Sequence, residues 1–144
     1  MAETALGKKI RLKVITPTRI LFDQDIDMVV MRAQTGDIGV MHGHTEFATT
    51  LIPGKFTIYD DDLEQVLAVQ SGYCEVTPKE VIILSDAAEW PDEIDLRRAN
   101  LAKERAERRL LDQISETQVQ STAIALRRAL VRIEVSTYPI IMRK

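Results

Sequence analysis

The sequence predicts an α+β chain: short strands forming a sandwich or flattened barrel, followed by two helices as an antiparallel hairpin. Apolar and polar residues alternate in short runs up to about residue 90, with Gly, Pro, Asp and Ser between the runs. Beyond Pro91 the apolar period changes to steps of three and four. Only a short link separates the two helical runs, and helices joined that way lie side by side.

Ile10, Leu12 and Val14 alternate with charges, and Thr16-Pro17 stops that strand. Ile26, Met28 and Val30 suggest the next, ending at a loop built on Gly36, Gly39 and Gly43. Phe56 and Ile58 read as a short edge-like strand between Pro53-Gly54 and Asp60-Asp61-Asp62. Val66 to Val69, Tyr73 to Val76 and Val81 to Leu84 complete the series, parted by Ser71-Gly72 and Thr77-Pro78.

Past Pro91, Asp92 is the expected helix N-cap, with Glu93 and Asp95 placing negative charge in the first turn. Leu96, Ala99, Ala102, Ala106 and Leu110 form the first stripe. Ala123, Leu126, Ala129, Leu130 and Ile133 form the second. Alanine stripes bury little area at ~25 cal/mol per Å², against ~1–2 kcal/mol per residue for ordering the backbone. Such a hairpin is marginal alone, so it should dock on something and be able to undock. The boundary expected is residues 1–90 for the strands and 91–144 for the hairpin.

Charge is unevenly spread. Residues 1–91 carry eight Lys and Arg against fourteen Asp and Glu; residues 92–144 carry eleven against eight. Two surfaces with different partners would explain this, as would drift in solvated faces. The net charge of −3 argues against non-specific nucleic-acid binding, which needs a basic field. The lone Cys74 rules out an internal disulfide and reads as a small core residue. No signal-peptide core and no apolar run of about 20 residues is present, so membrane association is expected only through a complex.

Candidate chemistry is sparse. His42, His44 and Glu46 offer three donors at alternate positions, a metal pattern, but the chain has no further His to complete a site and a glycine-built turn and contact loop is the favoured reading. No phosphate loop, dinucleotide fingerprint or nucleophile elbow is present. Asp95 and Arg98 stand three apart, spaced for an ion pair on one helix face. Arg128 and Arg132 stand four apart on the second helix. In a folded-back hairpin these arginines would approach the start of the first helix and surround a polyphosphate-sized space. A solvated basic face is the plainer reading.

Several pieces occur in an order and spacing that resemble the ε subunit of the F-type ATP synthase over nearly the whole chain. They are Val14-Ile15-Thr16-Pro17, Gly36-Asp37-Ile38-Gly39-Val40 with Gly43-His44, Ser71-Gly72-Tyr73-Cys74-Glu75-Val76, Ile94-Asp95 with Arg98-Ala99, the run Ala102 to Leu110, and Arg127-Arg128-Ala129 with Arg132. The resemblance implies a ten-stranded β-sandwich on the rotor, touching γ and the c-ring, and no catalytic residues. It implies a hairpin either folded on the sandwich or extended beside γ toward α and β, restraining hydrolysis through Arg127, Arg128 and Arg132. Asp37 and His44 would share the ring-facing loop. Glu89, Asp95, Arg98, Arg128 and Arg132 match an ATP site of some bacterial members, so the resemblance implies ATP as a candidate regulatory ligand and no required cofactor. A monomer in isolation, peripheral to the cytoplasmic face of a bacterial plasma membrane, is the expected state.

The chain departs from the family pattern at Met41-His42, at Glu46-Phe47 and at Trp90-Pro91, which would stiffen the hinge. It also departs in the tail Tyr138 to Lys144, for which an extra contact with γ is one reading. A small metalloenzyme using His42, His44 and Glu46 is the alternative from a different class, and a permanently zipped adaptor is a third.

Overall fold

A computed structural model describes residues 7–112 and 115–139. Ten strands form one sheet that folds over on itself: β1 Ile10–Ile15, β2 Ile20–Ile26, β3 Met28–Ala33, β4 Gly36–Met41, β5 Phe47–Leu51, β6 Gly54–Asp60, β7 Leu63–Val69, β8 Gly72–Val76, β9 Glu80–Ser85 and β10 Ala88–Glu89. Their order is β10-β7-β6-β3-β5-β8-β9-β1-β2, with β4 paired to β3. All pairs are antiparallel except β1 with β9. The core is aliphatic, from Ile10, Leu12 and Val14 across to Phe56, Ile58 and Ile83, and Cys74 lies inside it.

Three local readings are corrected. The alternation Ile26, Met28, Val30 does not belong to one strand: β2 ends at Ile26, and β3 buries Val29, Met31 and Ala33 instead. The corner at Asp27 shifts the phase by one residue, which exchanges the faces. The glycine-rich stretch from Gly36 is strand β4, hairpinned to β3 through Gln34-Thr35. The true loop is residues 42–46, where Gly43 supplies a positive φ of 83°. β6 is no edge, because it lies between β3 and β7 and is buried on both faces. Phe56 and Ile58 face the core, while the opposite face is roofed by a helix.

The start of β1, the β2–β3 corner and the β6–β7 turn are tied together by charge. Lys9 Nζ sits 2.9 Å from Asp27, 2.6 Å from Asp60 and 2.8 Å from Asp61. Asp60 and Asp61 above all, then Asp27, push the ammonium well above the usual lysine range. The bond from Lys9, then the Asp61 amide, lowers Asp27. A depressed carboxylate stabilises above its unfolded value of about 4 and loses this as pH falls through the folded one. A raised ammonium stabilises below about 10.4 and loses this as pH rises through its folded value. Lys9→Met should therefore destabilise most between about pH 5 and 10. The gap to the parent should close in acid, as read from urea midpoints; a pH-independent gap would refute the assignment.

After β10 the chain makes a 3-10 turn, Pro91–Glu93, then α1 Leu96–Asp112 and α2 Glu116–Ser136. Asp95, not Asp92, caps α1: its Oδ1 accepts from the Arg98 amide at 3.0 Å, and its carbonyl accepts from the Ala99 amide. Ser115 caps α2 through the Gln118 amide at 3.2 Å. Ala99 and Ala106 are buried against α2, whose Ala129 and Thr122 are buried in return. Leu96 and Leu130 stay exposed and Ala123 is exposed too, so the predicted stripes hold only in part. A second buried line on α2, Val131 and Val135, was not foreseen; it seats the helix on Val66 and Ala68 of β7.

Candidate functional site

The short β10, the 3-10 turn and the antiparallel return of α2 bring distant charges together. A groove of about 570 Å³ is bounded by Glu89, Glu93, Asp95, Arg98, Arg105 and Arg132, within the ~300–1,000 Å³ common for small-molecule sites. Arg132 Nε bonds Glu89 Oε1 at 2.6 Å. Glu93 accepts from the Trp90 amide at 2.9 Å and pairs with Arg19 at 2.7 Å.

Four of the five expected nucleotide contacts therefore share one groove. Arg128 does not line it: its guanidinium faces Asp86 at 3.7 Å. No Asp95–Arg98 ion pair forms among the described residues, because the carboxylate is spent on the backbone cap. Arg105 was missed, although it stands two helical turns after Arg98, on the same face. Three guanidinium groups can hold a polyphosphate, while carboxylates are suited to accept from hydroxyl or amino groups.

A small apolar cluster seats the hairpin on the sandwich. Its berth contains Val66, Ala68, Val131 and Val135, with Ile94 and Tyr138 partly buried beside them. Gln70 continues the outward alternation of Val66 and Ala68; both its amide atoms, and Arg128 Nε, are buried with no protein hydrogen-bond partner among the described residues.

Asp37 and His44 lie at opposite ends of β4, not in one loop. Asp37 pairs with its cross-strand neighbour Arg32 on β3, in a cleft that also receives Arg127. His44 stacks near Phe47, ring centres 5.2 Å apart, and its Nδ1 is 2.8 Å from the Thr45 carbonyl. The predicted metal trio does not converge. Among the described residues, the donor group close enough to share an ion is Asp27, Asp60 and Asp61, and Lys9 already sits there.

One further surface escaped the sequence reading. Register aligns Thr50, Tyr73, Leu84, Ile15 and Ile20 across five strands. Tyr73, Leu84 and Ile20 are 42%, 46% and 63% exposed. A line of apolar side chains in solvent across a sheet face marks a contact surface. Its signal was present as the outward residue of each strand, but pairing register is needed to see that these residues adjoin.

Fold and surfaces define a two-part interaction protein: a β-sandwich with an apolar contact line, carrying a thinly seated helical hairpin over a charged groove. A family model described as ATP synthase, Delta/Epsilon chain, beta-sandwich domain matches residues 9–91. A second, described as the long alpha-helix domain of the same chain, matches residues 92–137. The chain is 40% identical over 124 residues to an ATP synthase epsilon chain of Caldicellulosiruptor saccharolyticus, covering 86% of this chain and 90% of that one. It is 37% identical over 129 residues to that of Bacillus velezensis, covering 90% and 98%. It is 42% identical over 118 residues to a sodium ion specific epsilon chain of Acetobacterium woodii, covering 81% and 85%. A chain of the Euglena gracilis mitochondrial ATP synthase shares the fold, with a TM-score of 0.77 at 20% identity over 91% of this chain and 82% of that one. The chain belongs to the delta/epsilon family of ATP synthase subunits, and its relatives are epsilon chains.

Proposed function

We propose that the chain is a non-catalytic subunit of the rotating central stalk of an ATP synthase, coupling proton or sodium flow to synthesis and restraining hydrolysis through its hairpin. The observation that carries this is the thin berth of α2. Two valines on Val66 and Ala68 gain roughly 5 kcal/mol, little against ~1–2 kcal/mol per residue for ordering the backbone of two helices. A hairpin held so lightly can exchange its seat for another.

The exchange is chemical as well as steric. Arg128 and Arg132 are engaged by Asp86 and Glu89 when docked. Undocking frees both, with Arg127, for an acidic segment of the β subunit beside α. The apolar line through Tyr73 and Leu84 is the face assigned to γ. The 42–46 loop with His44 is assigned to the c-ring, and Asp37 belongs to the cleft beneath α2 instead. The groove of Arg98, Arg105 and Arg132 takes ATP as a regulatory ligand: nucleotide there bridges α1 to α2 and holds the hairpin down. The subunit thus works at the cytoplasmic face of a bacterial plasma membrane, carried there by the complex, and is a monomer when isolated.

Deleting residues 92–144 should raise hydrolysis by the complex several-fold while synthesis-coupled pumping persists. Unchanged hydrolysis under all conditions would end the restraint reading. Titration of the isolated chain with ATP, repeated on Arg98→Ala, tests the groove; no saturable binding at millimolar nucleotide would remove the ligand.

A further inference from the structure

We infer that Tyr138 and Lys55 form a latch that holds the second helix on the sandwich. Tyr138 lies two residues beyond α2, and its amide still bonds the Val135 carbonyl at 3.0 Å, so the last turn continues to it. Val131, Val135 and Tyr138 follow one another at steps of four and three, placing all three on one helix face. That face meets Val66 and Ala68, with Tyr138 packed at its end.

Lys55 approaches from β6, on the residue that pairs with Ala68. Its ammonium donates to the Tyr138 hydroxyl at 2.7 Å and sits 4.8 Å from the ring centre. Glu134 stands 3.9 Å from the same nitrogen. The Tyr138 bond, with smaller contributions from Glu134 and Tyr59, raises the Lys55 ammonium above its usual range. A charge-assisted bond is roughly twice as strong as a neutral one, so one such contact weighs heavily on a seat made of three valines and an alanine. The latch touches neither the charged groove nor the stripe between the helices. It controls only whether α2 is seated.

This rests on the reading of a hairpin that leaves its berth, and hydrogen exchange on the full isolated chain separates the two ideas. In the parent, α2 amides should exchange ahead of β1 and β9. Lys55→Met, which keeps the stem, should speed α2 exchange about tenfold, and Tyr138→Phe about threefold. The double variant should be no faster than Lys55→Met alone, because both remove one interaction. Exchange in α2 within a factor of two of the parent overturns the latch. Acceleration of β1 and β9 in step with α2 also overturns it, since Lys55 would then support the sandwich as a whole. If α2 exchanges together with β1 and β9 already in the parent, the mobile hairpin itself is refuted.

Discussion

Gly72→Ala should cost the sandwich about 3 kcal/mol, the largest single loss we expect from one added methyl group. A Cβ at this position would stand 2.2 Å from the Leu84 carbonyl oxygen and 2.9 Å from the Ser85 Cα. Both are backbone atoms, so no side chain can rotate away. The strand cannot slide either, because Gly72 pairs with Ser85 on one side and Leu51 on the other. At ~1.5 kcal/mol per molar urea the midpoint should fall by about 2 M. Gly43→Ala is the control: its Cβ meets nothing within 4 Å and suffers only the φ of 83°, at about 1 kcal/mol. Equal midpoints for the two variants would show that close strand approach is not what position 72 demands.

Trp90→Ala should lower the melting temperature by about 10 °C, from a loss of ~3–5 kcal/mol. The indole is 4% exposed and lies in the aliphatic core, its ring 6.1 Å from Phe22 at 56°. Large aromatics removed from such a site leave a cavity that the surroundings fill only in part. The residue also ends the sandwich: its amide is held by Glu93, Glu93 is held by Arg19, and Pro91 opens the 3-10 turn into the hairpin. The start of the hairpin is thus anchored from within the front domain. Trp90→Phe should recover more than half of the loss. A melting point within about 3 °C of the parent for the alanine variant would place Trp90 outside the stabilising core.

Much of the architecture was legible in residue order. β1 could be read from Ile10, Leu12 and Val14 because all three face one core and nothing interrupts their period. The helices were legible beyond Pro91 from the change of period, although only Ala99, Ala106 and Ala129 of the predicted stripes are buried. Where a strand bends, the signal fails: Asp27 shifts the period by one, so Met28 and Val30 only resemble a continuation of Ile26. β6 looked like an edge because its length and bounding turns say nothing about what covers its far face.

The functional surfaces divide along the same line. Glu89, Asp95, Arg98 and Arg132 were nameable from sequence, and the fold gathers them in one groove. Arg105 lay within reach of spacing, two turns after Arg98 on one face, whereas the turning of Arg128 toward Asp86 depends on how α2 seats on the sandwich, which no spacing encodes. Residue order by itself fixed the division into strands and hairpin, the poverty of the helix stripes and the family. Tertiary structure alone decided which carboxylate meets which arginine, which outward residues adjoin across five strands, and that Lys55 reaches Tyr138. The reason is physical: periodicity reports one element's burial against water, whereas pairing register and helix seating are properties of two elements at once.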